Sequence, residues 1–139
     1  MLIAIDHGNK QIKTVHAKPF TSGLIQSDAP GFGTDYLAYQ GKFYALTDQR
    51  IPYRRDKTED ERFFILTLFA IAYEIEATEQ YSDNLMRVQL AVGLPSAHFG
   101  VQSKRFTAYF EGRGAISFQF CGKSYAIFIE SATCFPQSF

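Results

Sequence analysis

A mixed domain of strands and helices, α/β or α+β in class, is what this sequence predicts, on three observations. Apolar segments of strand length come first, followed by one apolar block of helical length, a strand, a second helix and a last pair of strands. Thr58 and Glu61, with Asp60 between them, form a capping-box pattern just ahead of the apolar block. Fourteen Phe and eight Tyr in 139 residues, with no Trp, suit a sheet-rich core and argue against intrinsic disorder. A chain of this length holds one domain with its own core rather than two.

Leu2 to Ile5 is an apolar run, and Gln11 to His16 alternates Ile12 and Val15 with polar residues, so a hairpin around a Gly8-Asn9 turn is expected. Leu24 to Gln26 and Leu37 to Tyr39 are shorter strand candidates on either side of the turn-rich SDAPGFGTD. YQGKFYAL places Gly41-Lys42 between two aromatic arms, a second hairpin. The capping box predicts a helix from about Glu59 to Ala77, with acidic residues in its first turn to suit the helix dipole. Its apolar residues cover nearly every face from Phe63 to Tyr73, which predicts burial between other elements. That block is too short, at about a dozen residues, for the roughly twenty a membrane span needs.

Met86 to Val92 reads as a buried strand stopped by GLP. After Pro95, Ser96 can cap a helix carrying Phe99, Phe106 and Phe110 toward the core, with Gly100 a potential kink. Ala115 to Cys121 and Tyr125 to Ser131 are strands joined at Gly122-Lys123.

Fourteen basic residues balance fourteen acidic ones, so no global field draws nucleic acid or an anionic membrane, and phosphate binding has to come from local geometry. Cys121 and Cys134 lie in apolar stretches without metal-ligand spacing and read as buried, reduced thiols. The start MLIAID has no basic leader ahead of a long apolar run, so cytoplasmic residence is expected. His7, His16 and His98 are too scattered to nominate a base, and read as surface or hydrogen-bonded histidines. The Gly122-Lys123-Ser124 triplet is not a P-loop: the glycine that motif needs five residues earlier is Ser117, and a strand follows instead of a helix.

IDHGNKQIK carries more chemistry. Asp6 at a strand end, Gly8, small polar Asn9 and Lys13 in the next strand form either an ordinary hairpin or a turn whose amides point at one oxyanion. Gly8 allows close backbone approach, Asp6 suits a magnesium ion held through water, and Lys13 supplies a point charge.

Three stretches together resemble the actin-like ATPases, especially the plasmid-segregation filament proteins of the ParM/StbA type, within the superfamily of actin, sugar kinases and heat-shock chaperones. MLIAIDHGNKQIK is similar to that family's first phosphate loop, here residues 6–13; LAVGLP, residues 90–95, to the strand and turn before its next helix; and CFPQSF to the strand end that carries a Gln or Glu after Pro. The resemblance implies a ribonuclease H-like, actin-like fold over residues 1–139: a mixed sheet with flanking helices, the N-terminal half of a two-domain ATPase. It implies ATP or GTP with magnesium in a cleft between two related domains. Gly8, Asn9 and Lys10 would cradle phosphate, Lys13 would touch it, Asp6 would hold magnesium through water, and Gln137 would orient the attacking water. His7 and Lys10 stand where other members often have small hydroxyl or apolar residues; Lys10 adds phosphate affinity or faces solvent.

The chain ends at Phe139, two residues after Gln137, and no second Asp-x-Gly loop occurs in it. The expectation is therefore a truncated product or domain with half a cleft, in which nucleotide and magnesium binding are weak or absent and ATPase activity alone is slight. Its expected partners are copies of itself or a full-length homologue in a filament, with DNA reached only through an adaptor protein and no membrane. The alternative is a non-catalytic interaction module that binds a full-length filament protein.

Overall fold

The computed structural model describes residues 1–7, 11–29, 35–47, 61–94 and 99–136. Their strands form one sheet of nine: β1 (Leu2–His7), β2 (Gln11–Thr14), β3 (Phe20–Thr21), β4 (Leu24–Ser27), β5 (Tyr36–Tyr39), β6 (Lys42–Leu46), β7 (Met86–Leu94), β8 (Ala115–Phe120) and β9 (Lys123–Pro136). Helix α1 (Glu61–Ala77) precedes β7, and α2 (Phe99–Phe110) lies between β7 and β8 in the chain. The spatial order is β3-β2-β1-β7-β9-β8-β5-β6-β4. β1, β7 and β9 run parallel, and every other pairing is antiparallel.

β3 and β4 lie at opposite ends of that order, yet only Ser22 and Gly23 separate them in the chain. Nine flat strands would put those edges roughly 38 Å apart. The connection reaches about 11 Å at most. The sheet therefore coils back on itself, and Gly23 fastens the junction by accepting the Thr47 N–H at 3.1 Å.

The coil encloses α1. Phe63 to Ala72, Glu74 and Ile75 are all buried, which confirms the expected all-round burial. Its rings meet strands from across the sheet: Tyr73 touches Phe20 of β3 and Phe120 of β8, and Phe64 touches Tyr39 of β5. The crossovers β1 to β7 and β7 to β9 step the same way, so right-handed connections put both helices on one face. Phe64 against Tyr109 of α2, 6.3 Å between centroids, reflects that placement. No helix among the described residues is long and apolar enough to cross a membrane.

Several boundaries move. The two-residue turns are Gln40-Gly41 and Cys121-Gly122, each one residue earlier than expected, with φ values of 51°, 79°, 51° and 82°. Positive φ at both positions defines the primed turn that matches strand twist, which Lys in second place disfavours. Cys121 is consequently exposed and Cys134 only half-buried, correcting the expectation of two buried thiols. β7 runs on through Gly93 and Leu94 rather than stopping before them. β9 runs to Pro136 instead of Ser131 because of a bulge: Val88 pairs Ile129 but Gln89 pairs Ser131. The extra residue, Glu130, reverses which side chains face inward, from Ile127 and Ile129 before it to Ala132 after it. β2 ends at Thr14, short of His16. The Gly8-Asn9 turn, Thr58 and the helix start at Glu59, Ser96, and the side chains of Phe99 and Phe106 lie outside the described residues.

Candidate phosphate-facing strand ends

The three stretches that carry the resemblance meet at one edge of the sheet. Asp6 pairs Lys13 across the β1–β2 hairpin, Asp6 pairs Gly93 of β7, and Gly93 pairs Phe135 of β9. Lys13, Asp6, Gly93 and Phe135 thus form one row across four strands, about 14 Å from end to end at ordinary strand spacing. The row lies at the carboxyl ends of β1, β7 and β9, where ligands of open α/β sheets bind.

The local sequence explains each placement. In β1, Ile3 and Ile5 point inward and are buried, so Asp6, out of phase with them, faces away from the helices and is half-buried. Ile12 is buried against the same core, which leaves Lys13 exposed beside Asp6. Phe135 reaches the outer face only because the Glu130 bulge shifted the alternation. Gly93, the one residue of the row without a side chain, lies between Asp6 and Phe135. Ala4, Ile5, Asp6, Lys13, Thr14, Val15 and Phe135 line a cavity of about 190 Å³ there. Drug-sized ligands occupy roughly 300–1,000 Å³, so the hollow is too small for a whole nucleotide. A separate hollow of about 530 Å³ lies away from the row at the β5–β6 and β8–β9 hairpins, lined by Gln40, Ser117 and Gln119 among others.

Of the residues expected in the site, Asp6 and Lys13 are brought together face to face, while Gly8, Asn9, Lys10 and Gln137 lie outside the described residues. Gln137 follows directly on Pro136, the last residue of β9. No group of three or more His, Cys, Asp or Glu side chains able to hold a metal occurs among the described residues. One carboxylate beside one lysine fits a magnesium ion that arrives with phosphate and keeps its waters, not a standing protein cage. Gly93 and Phe135 were not singled out as site residues in the sequence. A glycine inside the apolar run LAVGLP was the available signal, since glycine in a strand marks close approach of a ligand or another backbone.

His16 and Glu74 belong to the scaffold. Glu74, 5% exposed, accepts from His16 Nδ1 at 2.5 Å and from the backbone N–H groups of His16 and Ala17 at 3.2 and 3.1 Å. Burial alone would raise its pKa, but these hydrogen bonds outweigh burial and hold it below the usual glutamate value.

A coiled mixed sheet around a central helix, with parallel strands ending in an Asp-bearing hairpin, defines a domain of the actin-like class. The chain belongs to the family described as the actin-like proteins N-terminal domain, whose model matches residues 4–139. Among solved structures it is similar to the AlfA filament bound to AMPPNP, with 17% identity, TM-score 0.74, and coverage of 99% of this chain and 55% of that one. The apo pSK41 ParM protein gives 14% identity, TM-score 0.76 and coverage of 98% and 49%. The ADP complex of Ta0583, an archaeal actin homolog, gives 13%, 0.70, and 98% and 43%. At such identities the likeness speaks for the fold, and this chain spans about half the length of these relatives. No curated protein matches the sequence.

Proposed function

We propose that this chain is the phosphate-holding domain of an actin-like, nucleotide-hydrolysing filament protein of the plasmid-segregation type, working in the cytoplasm and reaching DNA only through an adaptor protein. The observation that carries the reading is the row Lys13, Asp6, Gly93 and Phe135 at the carboxyl strand ends. Its support is the company the fold keeps, where one relative is a filament bound to AMPPNP and another a complex with ADP.

In this reading the amides of Gly8, Asn9 and Lys10 cradle the terminal phosphates of ATP or GTP, and Lys13 adds positive charge. Asp6 holds magnesium through water, and Gln137 aims the attacking water. When bound, magnesium neutralises charge on the phosphates. Phosphoryl transfer works through positioning and charge, so these groups suffice on this side of the cleft. A site this open leaves each charged contact worth about 1 kcal/mol or less, so a second domain has to close the cleft for turnover.

Titration of ATP·Mg²⁺ tests it, first on this chain and then on the chain joined to a C-terminal half of the kind its relatives carry. Asp6→Ala is expected to remove the magnesium dependence of binding in both. Gln137→Ala is expected to bind normally in the joined protein and to lose at least about tenfold in turnover, since water-positioning residues act on the chemical step. Equal turnover in wild type and both variants would falsify the assignment.

A second reading, a non-catalytic module that binds a full-length filament protein, draws on the outward face. Val15, which lines the same hollow as Phe135, is 70% exposed, and Leu2 at the start of β1 is 73% exposed. Co-sedimentation with such filaments supports it; no effect on filament length at equimolar chain counts against it.

A further inference from the structure

The last span of β9 is held differently from the rest of the sheet. β8 pairs with β9 only as far as Ala115 opposite Phe128. Beyond Phe128, β9 is flanked by β7 on one side, and among the described residues no strand pairs with it on the other. The open side faces a groove of about 460 Å³ between β9 and α2, lined by Lys104, Thr107, Glu111, Ala132 and Cys134 among others. Into that groove the Glu111 carboxylate reaches, accepting the Ala132 N–H at 2.8 Å. A side chain thus occupies the place a neighbouring strand's carbonyl would take.

Glu111 is itself well held. Its N–H donates to the Thr107 carbonyl at 2.9 Å, extending α2 by one bond. Gly112, at φ 76°, then ends the helix in the left-handed conformation usual after a helix terminus. Arg113 Nε donates to the Tyr109 carbonyl at 2.8 Å, and its guanidinium lies 3.7 Å from the Phe64 ring centroid. The carboxylate is therefore aimed from a fixed mount rather than swinging on a mobile loop.

We propose that Glu111 is a positioning residue for the candidate site: by taking the place of a neighbouring strand at Ala132, it fixes the terminal span of β9 and so the placement of Phe135. This role rests on the reading of the strand ends as a phosphate site. The contact itself does not.

Two measurements on the 139-residue chain separate those levels. Residue-resolved amide hydrogen exchange is expected to quicken at Ala132 by about tenfold in Glu111→Ala, the loss of one buried hydrogen bond, with Ile5 and Ile12 unchanged. Glu111→Gln keeps an acceptor oxygen and is expected to restore protection, which a general packing defect would not do. NMR titration with ATP·Mg²⁺ then follows the row. Wild type and Glu111→Gln are expected to shift Asp6, Lys13 and Phe135 together; Glu111→Ala is expected to retain the shifts at Asp6 and Lys13 and lose at least half of that at Phe135. Unchanged exchange at Ala132 in Glu111→Ala overturns the anchor. A uniform fall of all three shifts overturns the positioning role. No shift anywhere in wild type overturns the phosphate site, and Glu111's part in it with it.

Discussion

The parallel strands β1, β7 and β9 and the antiparallel strands β8, β5, β6 and β4 share one core but use their polar residues differently. In the antiparallel wing, charged groups fasten turns to the helix: Lys123 Nζ lies 3.0 Å from Glu76 and 3.8 Å from the Tyr81 ring centroid, and the Tyr125 hydroxyl donates to the same Glu76. In the parallel half, Lys13 and Asp6 stand at the strand ends on the face turned away from both helices. Parallel sheets are normally covered on both faces. Among the described residues only the inner face is covered here, and Leu2, Val15 and Phe135 remain exposed outside. The wing's ion pair closes on its own helix, whereas the parallel half keeps Lys13 at an exposed strand end; exposed apolar side chains occur in both, Ile25 of β4 among them.

That contrast is tested most severely at a buried side chain of the helix the two halves share. Phe69 is fully buried in α1, with its ring 6.0 Å from Phe120 of the wing and 6.2 Å from Tyr73. Phe69→Ala is expected to cost about 3–5 kcal/mol. Denaturant melts read at Tyr rings of the wing and at amides of β1 should shift together; separate midpoints would show two independent units instead of one coil around α1.

A smaller effect isolates the edge of the parallel half. Glu74 holds the connection leaving β2, and Glu74→Gln should cost about 1–3 kcal/mol because a neutral amide serves the His16 and Ala17 donors less well. Its pKa is lowered in the folded chain, so its stabilisation is complete above pH 4.5, the ordinary glutamate value, and is lost as pH falls through the lower folded value. Stability measured from pH 6 down to about 3 should therefore fall less steeply in Glu74→Gln than in wild type. Identical slopes would mean the carboxylate is not held by these bonds.

How far the sequence reveals this molecule depends on the range of the interaction that decides each feature. Local signals carried well: the hairpin of β1 and β2, the all-round apolar helix α1 and the strand before GLP are where alternation and helical periodicity put them. The coil of the sheet is not local, because the pairing of β4 with β6 rather than β3 depends on partners some twenty residues away. The β9 bulge is invisible to alternation, since one extra residue looks like a strand ending at Ser131. The site shares this divide. Asp6 and Lys13 could be named because one hairpin supplies both; Gly93 and Phe135 join them only through parallel pairing across distant segments.

The smallest effect tests the wing's turns, which differ from one another in an instructive way. Gln40-Gly41 and Cys121-Gly122 both adopt positive φ at two successive residues. Gln and Cys have little liking for that conformation, whereas Asn tolerates it well. Gln40→Asn and Cys121→Asn should each leave the Gly in place and stabilise by a few tenths of a kcal/mol. Gly41→Ala and Gly122→Ala should each cost about 1 kcal/mol, because the added Cβ meets its own backbone at these φ values. The space around the two glycines is not the same: a Cβ at Gly41 meets nothing within 4 Å, while one at Gly122 touches the Tyr36 hydroxyl at 3.6 Å. That distance is ordinary contact, so the two alanine variants should lose the same stability within about 0.5 kcal/mol, the usual spread for surface substitutions. A clearly larger loss at Gly122 would mean that the wing's turns are set by packing as well as by backbone conformation, and would narrow the contrast with the parallel half.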